Sequence, residues 1–154
     1  LDEMRRQGKV RRLGMSVRYP EELADLIDLG VFDVFQVPYS AFDRQHEVWI
    51  SEAARRGAGT VIRGGVGKGE PREGAASNRW RDAFESGGLD ELREEGDTRT
   101  AFVLRFTLSH PDIHTVIVGS QDPRHVAENA RAARAGPLPA DTYEEARRRL
   151  DGAG

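Results

Sequence analysis

Phe106-Thr-Leu-Ser-His-Pro-Asp-Ile-His-Thr-Val-Ile-Val-Gly-Ser-Gln-Asp-Pro-Arg-His-Val-Ala-Glu-Asn129 reads as a helix end, a turn, a strand, a glycine turn and a capped helix. Ile113, Val116, Ile117 and Val118 form a short apolar run, the pattern of a parallel strand covered on both faces. Gly119 and Ser120 make the turn that follows. Asp122 can accept from the first free N–H groups of the next helix. Pro123, which has no N–H to leave unpaired, suits its first turn. The remaining N–H groups point back toward the strand end, where their partial positive charge favours an anion such as a phosphate. His110, just before Pro111, reads as a structural residue that orders the turn into the strand.

The same unit of strand, turn and amphipathic helix recurs upstream. Residues 1–7 read as a helix end stopped by Gly8. A strand is expected over 10–17. A helix follows over 20–29, with Leu23, Leu26 and Ile27 on one face and Gly30 as its stop. A second strand spans 31–38. Asp43 is the expected cap of a helix over 44–56 ending at Gly57, and 60–63 is a third, short strand. The glycine-rich segment 64–78 reads as a long loop, and loops of that length in compact domains are usually functional or mobile. Short helices are expected over 79–85 and 89–94, and a firmer one over 98–109 with Ala101, Leu104 and Leu108 on one side. The fourth strand covers 114–118 and its helix 123–134. Thr142-Tyr-Glu-Glu145 has the spacing of a capping box, opening a last helix that carries Tyr143, Ala146 and Leu150. Four strands alternating with helices define an α/β protein with a parallel sheet. The pattern allows a doubly wound sheet or part of a (β/α)8 barrel. A whole barrel takes about 250 residues, so four units are about half of one.

Composition narrows the function classes. A length of 154 residues suits one domain with a real core. Charged residues make up 32% of the chain, much of it in Arg/Glu runs that read as solvated helix faces. A net charge of −3 without a clustered basic face excludes a nucleic-acid footprint. The chain has no cysteine, hence no disulfide and no thiol chemistry. No apolar run approaches the roughly 18 residues of a membrane helix, and the N-terminus lacks a signal-peptide pattern. No membrane partner is expected, and a cytoplasmic location is the default. The start at Leu1 rather than Met suggests a truncated chain or an incomplete gene model. His46, His110, His114 and His125 have no metal-ligand spacing, so no metal site is expected. Gly64-Gly-Val-Gly-Lys-Gly69 lacks the full phosphate-loop pattern. Trp49 and Trp80 read as packing residues.

Four segments in sequence resemble the last four strands of the aldo/keto reductases. They are Gly8-Lys-Val-Arg-Arg-Leu-Gly-Met-Ser16, Asp33-Val-Phe-Gln-Val-Pro-Tyr-Ser40, residues 57–65, and residues 115–129, a strand together with the start of its own helix. Each alone is weak; their order and spacing carry the resemblance, which covers nearly the whole chain. It implies a single partial domain over 1–154, the C-terminal half of a TIM (β/α)8 barrel plus a C-terminal helix. The activity it implies is reduction of a small-molecule carbonyl substrate to an alcohol with NADP(H).

The resemblance carries over to individual positions. Ser16 and Gln36 match residues that bond the nicotinamide carboxamide, while Val17 stands where the family usually has Asn, so one polar contact is lost. Arg63 falls where an aromatic or Arg side chain lies against the nicotinamide ring, and a planar guanidinium can stack there. Gly64, Gly65 and Val66 replace the usual Ser-Pro-Leu that cradles the pyrophosphate, which implies close approach but a less fixed loop. Gly119 and Ser120 match the turn near the 2′-phosphate, although some members have Lys at the Gly119 position. Arg124 and His125 lie near a phosphate-binding Arg, and Glu128 and Asn129 match the pair that meets the adenine. The plainer readings are barrel-end polar residues for Ser16 and Gln36, a surface ion pair for Arg63, and turn and cap for Ser120 and Asp122. The family's catalytic tetrad of Asp, Tyr, Lys and His belongs to the other half of the barrel. None of its members is assigned here, and Tyr19, Tyr39, His110 and Lys68 are not offered as substitutes. The alternative to a reductase is a non-catalytic cofactor-binding or regulatory half-barrel that joins the missing N-terminal half, itself or another chain.

Overall fold

The computed structural model describes residues 1–67 and 79–152. Helix α1 (Asp2–Arg6) leads into strand β1 (Gly14–Ser16), followed by α2 (Pro20–Asp28), β2 (Val34–Pro38), α3 (Glu47–Arg55) and β3 (Gly59–Arg63). Then come α4 (Arg79–Ser86), a 3₁₀ turn (Leu89–Leu92), α5 (Arg99–Leu108), β4 (Thr115–Ile117), α6 (Pro123–Ala135) and α7 (Ala140–Gly152). The four strands form one sheet, all parallel, in the order β1-β2-β3-β4. A doubly wound sheet reverses its strand order at a switch point. This sheet does not, as an arc of a barrel requires.

Alternation along the two central strands sets the faces. Phe35, Val37 and Ile62 are buried and pack with Leu23 and Ile27 of α2 and Ile50 and Ala53 of α3. Val34, Gln36, Val61 and Arg63 take the other face and are half-buried. The expectation that β4 is covered on both faces is corrected. Thr115 is exposed and Ile117 is 50% exposed, because β4 pairs only with β3. A second core is aromatic: Trp80 stacks on Phe84, Phe84 meets Phe102 edge-on, and Phe106 meets Tyr143. Trp80 is thus a packing residue, as is the partly buried Trp49.

Several boundaries shift for identifiable reasons. The first strand begins at Gly14 rather than Val10, because the Asp33 carboxylate, not a neighbouring strand, accepts from the Leu13 N–H at 2.8 Å. That bond, first, and then the Arg5 and Arg12 guanidinium groups hold the Asp33 pKa below its ordinary value. Asp43 does not cap the next helix. Its backbone pairs with Ser40 in a small bridge, and α3 starts after His46 instead. Thr142 is not a cap either. α7 already begins at Ala140, with the Tyr143 N–H donating to the Pro139 carbonyl. The expected cap of α6 holds, Asp122 accepting from the Arg124 N–H at 2.9 Å, and α5 has a cap of its own in Thr98, which accepts from the Ala101 N–H at 3.1 Å. His110 orders its turn as expected, its Nδ1 accepting from the Asp112 N–H at 3.2 Å. Of the long loop expected over 64–78, residues 68–78, Lys68 included, lie outside the described residues.

Two part-buried polar clusters fasten the helices that frame the sheet. Arg105 of α5 donates to Asp97 at 2.7 Å, Glu94 at 3.0 Å and the carbonyls of Gly136 and Pro137, which ties α5 to the end of α6. Glu47 at the start of α3 accepts from Arg147 of α7 at 2.6 Å and from the Tyr39 hydroxyl at 3.2 Å. Burial first, then the neighbouring Tyr143 and Glu47, push the Tyr39 phenol far above its ordinary pKa, so it stays a proton-bearing donor.

Candidate cofactor site

In an α/β sheet the carboxyl ends of the parallel strands are where ligands bind, and the strand register decides which side chains gather there. Ser16 lies beside Gln36, and Gln36 beside Val61; one step further along, Pro38 lies beside Arg63 and Arg63 beside Ile117. All these side chains stand on the face away from α2 and α3. The Ser16 hydroxyl donates to the Gln36 side-chain carbonyl at 2.9 Å. Gln36 thereby keeps its amide N–H groups for other partners. Arg63 reaches across β2, and its Nη2 donates to the Val17 carbonyl at 2.9 Å. The Val17 side chain is buried in the core. The position that lost a polar side chain therefore contributes through its main chain.

The turn after β3 is held more firmly than its glycines imply. Gly64 has φ +74°, which glycine adopts without strain, and the Gly67 N–H donates to the Gly64 carbonyl at 2.7 Å. The Gly65 carbonyl accepts from the Thr107 hydroxyl at 2.7 Å. A Cβ on Gly65 would lie 2.5 Å from Val116 Cγ1, so no other residue fits without movement. Trp80 Nε1 donates to the Val66 carbonyl at 3.3 Å. The expectation of a less fixed loop is thus corrected for residues 64–67.

The turn after β4 carries the second group. The Ser120 hydroxyl accepts from the Asp122 N–H at 3.1 Å and lies 3.3 Å from His125 Nδ1. Arg124 is 86% exposed and folds back on the helix cap, its Nε at 3.2 Å and Nη2 at 2.8 Å from the Asp122 carboxylate. That pairing first, then the backbone N–H of Arg124, hold the Asp122 pKa down at about 2. A Cβ on Gly119 would meet nothing within 4 Å. Glu128 and Asn129 are half-buried on α6, one turn further on. The β3–β4 register, with Arg63 beside Ile117, places this turn at the same sheet edge as the first group.

Two features have no sequence signal. His46 is fully buried with neither ring nitrogen hydrogen-bonded, and the Glu47–Arg147 latch joins residues 100 apart. Neither has a motif, because both depend on how α3 and α7 dock. Among the described residues no cluster of His, Cys, Asp or Glu could hold a metal ion, and no helix is long and apolar enough to cross a membrane.

A parallel sheet in barrel order, with polar residues gathered at its carboxyl edge, defines a (β/α)8-type protein. The chain belongs to the aldo/keto reductase family, whose model matches residues 1–150. A relative from Bacillus subtilis, the uncharacterized oxidoreductase YqkF, is 24% identical over 147 residues, covering 87% of this chain and 48% of the relative. The aldo-keto reductase AKR11C1 from Bacillus halodurans in its holo form superposes with a TM-score of 0.79 at 24% identity, over 96% of this chain and 51% of that one. The glycerol dehydrogenase AKR11B4 from Gluconobacter oxydans gives 0.73 at 18% identity, over 98% and 52%. The chain thus spans about half the length of the relatives it matches. Its four strands with their helices correspond to about half of the barrel.

Proposed function

We propose that this chain is a single partial domain that supplies the NADP(H) site of an aldo/keto reductase reducing an aldehyde or ketone, with a cytoplasmic location. The observation that carries the reading is the row at the sheet edge, where Ser16 bonds Gln36 at 2.9 Å and Arg63 is held on the Val17 carbonyl. The residues fit the cofactor's chemistry. Gln36 has amide donors left for a carboxamide, Arg63 offers a flat cation, and Gly64 and Gly119 leave open space over their main chain. Ser16 and Gln36 would hold the carboxamide, Arg63 the face of the ring, and Gly64 and Gly65 the pyrophosphate. Gly119, Ser120, Arg124 and His125 would hold the 2′-phosphate, and Glu128 and Asn129 the adenine. When bound, the cofactor supplies hydride. This chain's residues would orient it. The carbonyl oxygen also needs a proton donor, and the reading assigns that role to the barrel's other half.

The test is a binding and turnover pair on the purified chain. NADPH should bind, shown by quenching of tryptophan fluorescence, while a reactive aromatic aldehyde with NADPH should give no turnover. Absence of any NADPH binding, or turnover that disappears on changing a residue of this chain, would overturn the reading. The alternative is a non-catalytic half-barrel that joins itself or another chain, through the edge strands on which Met15 is 38% and Ile117 50% exposed. Unpaired strand edges drive association. Sedimentation over a range of concentrations should show self-association, and a compact monomer at all concentrations would remove that alternative.

A further inference from the structure

The turn after β3 is closed by the hydrogen bond from the Gly67 N–H to the Gly64 carbonyl at 2.7 Å. Its central peptide unit joins Gly65 to Val66. In a turn closed this way the central unit can rotate as a plate, and turn types I and II differ by about half a rotation of it. The closing bond therefore does not settle which way that unit's carbonyl and N–H point. Thr107 of α5 settles it. Thr107 is fully buried, and its hydroxyl donates to the Gly65 carbonyl at 2.7 Å. A helical Thr often returns its hydroxyl to the carbonyl four residues back. Here that contact, to Val103, is the longer one at 3.1 Å.

The direction follows from the trans peptide, in which C=O and N–H point opposite ways, and among the described residues no peptide bond is cis. Val66 and Val116 pack against Ala101 and Leu104 of α5. Thr115 and Ile117, the neighbours of Val116, take the other face of β4, with Ile117 beside Arg63. With its carbonyl held toward α5, the central unit thus turns the Val66 N–H to the face that carries Gln36 and Arg63. Among the described residues no main-chain carbonyl accepts from that N–H. The next unit is fixed as well: Trp80 Nε1 donates to the Val66 carbonyl at 3.3 Å, and the Gly67 N–H closes the turn.

We propose that Thr107 is a positioning residue: by holding the Gly65 carbonyl on the helix side, it aims the Val66 N–H at the carboxyl edge of the sheet, where that N–H donates to the cofactor's pyrophosphate. The anchor stands on contacts within the chain, while the identity of its ligand rests on the function proposed above. Gly65 is buried, so removing the hydroxyl takes a partner from a carbonyl that water reaches poorly. The Val103 carbonyl keeps its helical partner.

The experiment uses the whole chain, isotopically labelled for NMR. Thr107→Val keeps the shape and removes the hydroxyl, and Thr107→Ser keeps the hydroxyl. Without ligand, the Gly65 carbonyl signal should move in Thr107→Val and return toward its wild-type position in Thr107→Ser. In the wild-type chain, a readout that needs no variant to fold, inorganic pyrophosphate should shift the Val66 amide signal saturably. NADPH and NADH should both weaken by about tenfold in Thr107→Val, as for a lost hydrogen bond to a charged group, and recover in Thr107→Ser. Adenosine 2′-monophosphate, which lacks the pyrophosphate, should bind all three chains alike. A merely structural Thr107 would weaken all three ligands or none, and either result overturns the proposal. So does a wild-type Val66 amide that ignores pyrophosphate in a chain that binds NADPH. A chain that binds none of these ligands sinks the cofactor reading. The Gly65 signal then decides the anchor by itself: movement in Thr107→Val supports it, and indifference overturns it.

Discussion

The two ends of the candidate site are built by different means. At the Ser16–Gln36–Arg63 end the defining hydrogen bonds join residues 20 and 46 positions apart. At the Ser120–Asp122–Arg124 end every such bond lies within five positions. The first end exists only because three strands are in register. The second is made by one turn and the helix it caps, and would form wherever that unit folds. Changes at the first end should therefore touch stability and all cofactor binding together. Changes at the second should move stability little and act mainly on the phosphate.

Glycine substitution should separate the ends most sharply. Gly65→Ala places a Cβ 2.5 Å from Val116 Cγ1 and 3.2 Å from Thr107 Cγ2, at the point where β4 and α5 close on the turn. Overpacking of that kind costs about 1–3 kcal/mol. Denaturant melts should show it as a lower midpoint with the same slope. Gly119→Lys, which installs the family's alternative residue in open space, should leave the midpoint unchanged and strengthen NADPH. Equal destabilisation by both would mean that the second end is also held by the fold.

A smaller effect is expected from polar truncation. Gln36→Ala removes the partner of Ser16 and the free amide donors, so NADPH and NADH should weaken alike, by about 1–2 kcal/mol for the hydrogen bonds lost. Ser120→Ala should weaken NADPH and spare NADH. Isothermal titration of both cofactors on both variants gives four numbers. A Gln36→Ala variant that discriminates between the cofactors would break the assignment of the two ends.

The same contrast explains what could be read in the sequence. Asp122-Pro123 and Gly119-Ser120 are local chemistry, and the cap and turn form where the residues call for them. The alternation of Phe35 and Val37 with Gln36 follows from a pattern of neighbouring residues, whereas the strand order came from the family resemblance, since the pattern allowed a doubly wound sheet as well. The start of β1 was not legible, because the partner of the Leu13 N–H is a carboxylate 20 residues away. The exposure of β4 follows from its lying at the sheet edge rather than from its composition, which reads as a covered strand. Nor could the sequence place Arg63 on a carbonyl or bury His46, since both depend on how neighbouring turns meet. Arg124 was legible as a cation but not as one already paired.

That pairing decides the smallest and most diagnostic prediction. Asp122 carries its charge at neutral pH, since Arg124 holds its pKa at about 2 against an ordinary 3.8. A carboxylate with a depressed folded pKa stabilises the fold fully above its ordinary value, and the contribution is lost only as pH falls through about 2. Through the neutral range the ion pair is therefore intact, and a phosphate must compete with Asp122 for the guanidinium. Arg124→Ala should then weaken NADPH by less than about threefold, because an exposed, already neutralised cation contributes little. Asp122→Asn keeps a good cap while freeing the guanidinium and removing a negative charge beside the phosphate. It should strengthen NADPH modestly, and NADH should not respond to either change. In the double variant the gain should vanish, since nothing remains to be freed. A loss in Arg124→Ala of well over tenfold would show that the pair opens for the ligand, and that this end too is set by more than its own turn.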